Sequence, residues 1–304
     1  MSEQKRRVIF IGSCSYSGST VLDLVLSSAP GHLSMGEVGR VYLPRNEEHF
    51  KVECGCMEGG CEHWSGVVED GPKGVHFRAL SKFGEHTLVD STKDPSWIRK
   101  RTIELASDGV EVINILIWKS PSSIKKSFAK RNIENRWNKA WVNYHRLYFS
   151  SVINFYVIPY SSLSEDDESF KNRLGIAGVD YNFQFWEKEH HTFFGNSSAK
   201  RHFHDEGSSA YEELQNRRRR SVSEREDYIH RTVDSAISEE SVACSPIVHS
   251  INDFPLHNDS LDSSGPVYSV PRELRYTRFS SLLRENWNIG KSALPLFRWK
   301  LFGK

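Results

Sequence analysis

Along the first 160 residues, short apolar runs alternate with segments whose apolar positions recur every three or four residues. Val8-Ile9-Phe10-Ile11, within Arg7 to Gly12, is β-branched and aromatic, and a Ser/Gly-rich turn separates it from a helical pattern over Thr20 to Leu26. Val110 to Trp118 repeats the arrangement. The run stops at Lys119-Ser120-Pro121, and beyond the proline Ile124 and Phe128 share one helical face. Thr87 to Val89 and Phe155 to Ile158 read as shorter strands, with amphipathic helices expected over Trp97 to Ala106 and Asn135 to Val152. Apolar strands alternating with helices predict an α/β fold whose central parallel sheet is covered on both faces.

Past Ile158 the pattern thins. Glu168 to Leu174 suits a helix and Tyr181 to Phe185 a strand; the segment 205–265 then holds twelve serines, the run Arg217-Arg218-Arg219-Arg220 and few large apolar side chains. That composition reads as a polar insertion or linker, with one solvated helix around Tyr211 to Ile229. Aromatic residues return near the end, among them Tyr268, Trp287, Phe297 and Trp299. The expected organisation is a core over 1–204, a Ser-rich excursion over 205–265 and a smaller helical or irregular portion over 266–304 that packs back on the core.

The net charge of +1 is unevenly spread: Asp205 to Gly265 carries 13 acidic and 6 basic residues, net −7, so the remainder carries +8. A basic body suits a small anionic ligand without requiring nucleic acid. Five cysteines argue against an extracellular disulfide framework. No run reaches the roughly 20 apolar residues of a membrane helix, and Met1 to Arg7 enters the first strand without a signal-peptide h-region. These features predict a cytoplasmic protein with no transmembrane segment.

The turn Gly12-Ser13-Cys14-Ser15-Tyr16-Ser17-Gly18-Ser19-Thr20 joins a strand to a helix, the geometry that aims backbone N–H groups and hydroxyls at an anion. Ser19 follows Gly18 where a nucleotide-triphosphate P-loop has its lysine, so ATP or GTP hydrolysis is disfavoured. A Ser-rich turn with no ligand is the alternative. The segment resembles the 5′-phosphosulfate loop of sulfotransferases that use 3′-phosphoadenosine 5′-phosphosulfate (PAPS). Ser17-Gly18-Ser19-Thr20 matches its core, and Tyr16 stands where many members place Lys or Arg. The resemblance implies that Ser15, Tyr16, Ser17, Gly18, Ser19 and Thr20 cradle the phosphosulfate, with the usual cation supplied from elsewhere.

About a hundred residues later, Ile117-Trp118-Lys119-Ser120-Pro121 through Ser127 resembles the family's 3′-phosphate segment, with Lys119 in place of its arginine and Ser127 eight residues on. Arg131 falls one helical turn beyond Ser127. A strand-end cation, a hydroxyl and a guanidinium suit a phosphate dianion, although lysine gives up the bidentate fork. Taken alone, the stretch also reads as a basic surface helix.

Sulfuryl transfer to a hydroxyl needs a base for the acceptor proton and cations for charge on the leaving oxygen. Met35-Gly36-Glu37-Val38-Gly39-Arg40 resembles a G-E segment of tyrosylprotein and some glycan sulfotransferases, which implies Glu37 as base; a surface glutamate is the plain alternative. Asp90-Ser91-Thr92-Lys93-Asp94-Pro95 resembles their lysine-bearing segment and implies Lys93 as donor to the bridging or a sulfuryl oxygen. The alternative is a capping turn in which Asp90 and Ser91 organise a helix start while Lys93 is solvated. His190-His191 and Gly195-Asn196 are similar to an H-x-x-G-N segment of bacterial members, although Lys200 and Arg201 come late for it. Cys54, Cys56, Cys61 and His63 could form a Cys₃His zinc site, but the spacing matches no common knuckle, and the similarity of this C-x-C…C-x-x-W stretch to segments of sulfotransferase relatives implies a local structural role near the acceptor cleft instead.

The resemblance thus implies a PAPS-dependent sulfotransferase with a P-loop-like three-layer fold, using PAPS as co-substrate and no metal. Its acceptor would be a hydroxyl, a carbohydrate or glycoconjugate being favoured, with Trp64, Trp137 and Trp141 available for stacking. The rivals are a divergent nucleotide kinase and a non-catalytic nucleotide- or anion-binding protein. Convergence of Glu37 and Lys93 at the loop would favour the enzyme.

Overall fold

The computed structural model describes residues 5–45, 62–119, 121–152 and 155–160, together with positions 49 and 54 and scattered positions within 163–195. The expected segments 205–265 and 266–304, the helix around Tyr211 to Ile229, Lys200 and Arg201 lie outside the described residues, as does most of the Glu168 to Leu174 helix.

Five parallel strands form one sheet: β1 (Arg7–Ser13), β2 (His32–Gly36), β3 (Thr87–Asp90), β4 (Glu111–Trp118) and β5 (Tyr156–Pro159), in the order β2-β3-β1-β4-β5. The inner strands alternate their side chains between two apolar layers. Val8, Phe10, Leu88 and Leu116 face one core, while Ile9, Ile11, Val89, Ile113 and Ile115 face the other. Burial on both faces is why β1 and β4 are almost uninterrupted hydrophobic runs. The result is the α/β fold predicted from sequence, with a parallel sheet between helical layers.

Helix α1 (Ser19–Ser27) follows β1 after Gly18, which sits in the left-handed region at φ 85°. The short α2 (Gly39–Tyr42) follows β2, and α3 (Val75–Phe83) precedes β3. Asp94 caps α4 (Pro95–Ser107), its carboxylate accepting from the N–H groups of Ser96 and Trp97, and Pro95 supplies the preset φ of the first turn. Helices α5 (Pro121–Ala129) and α6 (Trp137–Ser151) complete the described set, separated by a 3₁₀ turn over Glu134–Arg136. No helix among the described residues is long and apolar enough to cross a membrane.

Two parts of the sequence reading need correction. The expected strand over Tyr181 to Phe185 is absent at its described positions; Asn182 instead donates its N–H to Val25 O at 3.0 Å, tying this stretch to α1 rather than to a sheet edge. Strand β2 and helix α3 were not expected. His32 and Ser34 break the apolar run of β2, whose strand neighbour among the described residues is β3, and they are buried here because β3 and α1 pack against them.

Buried imidazoles make the fold sensitive to acid. His145 of α6 donates from Nδ1 to Trp141 O at 2.8 Å, and burial pushes its pKa from 6.5 to about 4. His32 donates likewise to Leu26 O, and burial lowers it to about 4 as well. Between about 4 and 6.5 the unfolded chain therefore binds more protons than the folded one, so stability falls as pH drops through that window. Urea unfolding from pH 7 to pH 4 should show a falling midpoint, with a shallower slope in His145→Gln.

Candidate active site

In a parallel sheet, the loops at the carboxyl ends of the strands line one edge, and the crevice opens where successive connections leave in opposite directions. Here that point lies between β1 and β4, because β1 connects toward the β2-β3 side and β4 toward β5. Four of the segments singled out in the sequence leave this edge: the Ser/Gly loop from β1, Glu37 from β2, Lys93 from β3 and Lys119 from β4.

The loop turns through two left-handed residues, Tyr16 at φ 67° and Gly18 at φ 85°. Glycine adopts that conformation freely; tyrosine does so at a cost of order 1–3 kcal/mol that the surroundings must offset. Ser13, Ser17, Ser19 and Thr20 are buried, whereas Ser15 and Tyr16 are exposed. The Oγ atoms of Ser13 and Ser17 are buried with no hydrogen-bond partner among the described residues, and α1 starts without a side-chain cap. Orphan hydroxyls beside uncapped helical N–H groups suit an anion. The mouth of this cradle is narrow. A Cβ on Gly18 would lie 2.7 Å from the Tyr160 ring and 3.1 Å from Leu163.

Lys119 is buried, and its Nζ donates to Tyr16 O at 3.1 Å and to Ser127 Oγ at 3.0 Å, while lying 3.9 Å from the centre of the Tyr160 ring. Arg131 donates from a terminal nitrogen to Ser127 O at 2.8 Å and stacks its guanidinium over the Tyr16 ring at 4.0 Å. Lys119, Ser127 and Arg131 thus meet around the Tyr16 turn, and Lys119 brings a cation to a loop that lacks its own. Cys14 in the same loop lies within electrostatic reach of both Lys93 and Lys119, yet burial outweighs their pull and pushes its thiol up to about 12. It is no thiolate nucleophile at neutral pH.

On the other side of the edge, Glu37 Oε1 lies 2.5 Å from Lys93 Nζ, and Glu37 Oε2 lies 3.6 Å from Arg40 Nε. Lys93 is a third left-handed residue, at φ 65°. The Glu37 N–H donates to Phe193 O at 2.8 Å, so a segment more than 150 residues away fixes the backbone of the glutamate. Arg40 is 3% exposed; burial and Arg45 lower its pKa, while Glu37 and Asp94 oppose them. The carboxylate is held from two sides by cations.

Arg40, Phe193 and Tyr160 had no assigned part in the sequence reading. Tyr160 had a local signal, since it directly follows the apolar run of β5; Phe193 had none. His190 binds Phe185 O at 2.9 Å, and His191 lies 3.3 Å from Cys54 Sγ through Nδ1 and stacks on His63 at 4.0 Å. Burial lowers His63 to about 4. Cys56, Cys61 and Asn196 lie outside the described residues.

No family model matches this chain. No curated protein matches it either. Among solved structures, it is similar to the sulfotransferase domain from the Synechococcus PCC 7002 olefin synthase, at 15% identity and a TM-score of 0.37, over 73% of this chain and 90% of that one. So loose a superposition fixes no chemistry, and the site stands on its own geometry.

Proposed function

We propose that the protein transfers a sulfuryl group from PAPS to a hydroxyl, with a carbohydrate or glycoconjugate as the acceptor class. The observation that carries this reading is the Glu37–Lys93 pair: a carboxylate and an ammonium 2.5 Å apart, at the sheet edge that also holds the Ser/Gly loop. Anion binding calls for cations and N–H donors at such a place, and a carboxylate set among them adds a proton acceptor that transfer to a hydroxyl requires.

Each residue then has a defined task. The N–H groups at the start of α1 and the hydroxyls of Ser17, Ser19 and Thr20 hold the 5′ end of the nucleotide. Lys119, Ser127 and Arg131 hold its 3′-phosphate. Glu37 takes the proton of the acceptor hydroxyl, whose oxygen forms a bond to sulfur as the bond from sulfur to the bridging oxygen breaks. Lys93 offsets the charge left on that bridging oxygen, which departs with 3′-phosphoadenosine 5′-phosphate (PAP). Without a nucleotide, Lys93 neutralises Glu37.

Calorimetric titration with PAP and with ATP tests the reading, because the 3′-phosphate separates this chemistry from that of a nucleotide kinase. PAP should bind and ATP should not. Lys119→Ala should weaken PAP by about tenfold to a hundredfold, the usual worth of lost charge-assisted hydrogen bonds. Preference for ATP, or no binding, overturns the proposal.

A further inference from the structure

Asp90, at the end of β3, is fully buried and touches neither the Ser/Gly loop nor the Glu37–Lys93 pair by any described contact. An unsatisfied carboxylate in such a place is costly, and this one is saturated. Its Oδ2 accepts from His76 Nε2 of α3 at 2.9 Å and from Trp97 Nε1 of α4 at 2.8 Å. Its Oδ1 accepts from the Thr92 N–H at 2.9 Å and the Thr92 hydroxyl at 2.5 Å. Two helices thereby fix the carboxylate, and the carboxylate fixes Thr92.

Thr92 passes that constraint to both members of the pair. Its Oγ1 accepts from the Gly39 N–H at 2.9 Å, and its carbonyl accepts from an Arg40 terminal nitrogen at 3.2 Å. Those residues lie two and three positions after Glu37, and Arg40 also faces the Glu37 carboxylate. In the other direction Thr92 is bonded through the chain to Lys93, whose left-handed backbone survives only where its neighbours over-determine it. Ser91 closes the set, donating its hydroxyl to Asp23 of α1 at 2.6 Å and its N–H to Gly36 O at 2.8 Å. A Cβ on Gly39 would collide with the Thr92 methyl, so the two chain segments meet in direct contact.

We propose that Asp90 and Thr92 are positioning residues that hold Glu37 and Lys93 together, Asp90 acting through Thr92 and touching no reacting atom. The inference rests on the reading of Glu37 and Lys93 as the reacting pair, but its first test does not require nucleotide. A lysine nitrogen held against a carboxylate is covered and reacts slowly with an acylating reagent. Trace labelling of the full chain with acetic anhydride, followed by mass spectrometry, would read Lys93 against the exposed Lys125 in the same sample.

Thr92→Val keeps the shape and removes the hydroxyl. Lys93 labelling relative to Lys125 should rise by about fivefold or more, the factor that corresponds to about 1 kcal/mol, as it should when Glu37→Ala removes the partner outright. Thr92→Ser, which keeps the hydroxyl, should restore the wild-type ratio. Trp97→Phe removes one donor to Asp90 outside the 90–93 segment and should give a smaller rise, which keeps the test open if Thr92→Val does not fold. Unchanged Lys93 labelling in both Thr92→Val and Trp97→Phe overturns the proposal, as does a wild-type ratio already equal to that of Glu37→Ala. Where PAP binds, PAPS turnover with water as acceptor adds a second readout: Thr92→Val should lower kcat and leave KM for PAPS in place, and a rise in KM alone overturns the positioning role. Failure of PAP to bind the wild-type protein sinks the sulfotransferase reading and leaves the labelling result standing.

Discussion

Glu37→Gln should lower PAPS turnover by about 10²–10⁴-fold, the usual worth of a positioned general base, while PAP affinity stays near that of the wild-type protein. Glutamine occupies the same space, and its carbonyl oxygen still accepts from Lys93 at the position now 2.5 Å away, so the local structure has little reason to move. What disappears, on the proposed reading, is the capacity to take a proton from the acceptor hydroxyl. The loss should therefore fall on kcat, where an interaction made only in the transition state is read. Radiolabelled PAPS turnover with calorimetry of PAP on the same preparation separates the cases. A parallel loss of PAP affinity would make Glu37 part of the nucleotide cradle, and undiminished turnover would place the base elsewhere.

Gly36→Ala should destabilise the protein by about 3 kcal/mol or more, through a backbone clash added to a strained backbone angle. Gly36 ends β2 at φ 57°, and a Cβ there would run into the backbone carbonyl and nitrogen of Phe193. Neither is the end of a flexible side chain. The same Phe193 oxygen accepts from the Glu37 N–H, and Gly36 O accepts from Ser91 N–H, so relief of the clash displaces the candidate base and the Lys93 segment together. Gly84→Ala is the control: its φ is 67° with nothing within 4 Å of the added methyl, so it should cost only the backbone term of about 1 kcal/mol. Urea unfolding of the two variants measures the difference. Equal losses would show that the strand formed by β2 does not depend on the Phe193 contact.

How much was legible in the sequence follows from how local each signal is. Strands β1 and β4 are buried on both faces, so nearly every position must be apolar and the run declares itself. Pro95 and Asp94 mark the start of α4 by local capping chemistry. Strand β2 carries His32, Ser34 and Gly36 among its five residues, so periodicity could not reveal it. Helix α3 is bounded by the left-handed glycines Gly74 and Gly84, and Val75, Ala79, Leu80 and Phe83 give it an apolar face at helical spacing, so it was legible locally although the expected elements omit it. The Tyr181 to Phe185 segment has strand composition, and its observed contact with α1 is a tertiary choice that composition does not encode.

The sequence by itself determined the alternation of strands and helices, the Ser/Gly loop with its left-handed glycine, and the residue types able to handle an anion and a proton. Those are properties of neighbours in the chain, fixed by backbone sterics and by the period of apolar side chains. The tertiary structure alone decided which polar groups meet. The order β2-β3-β1-β4-β5 sets the ends of β2 and β3 side by side, which closes 56 residues of chain to pair Glu37 with Lys93, and sets β4 beside β1, which lets Lys119 reach the Tyr16 carbonyl. A salt bridge or hydrogen bond acts over a few ångströms of space whatever the separation in sequence, so the folded sheet determines the site.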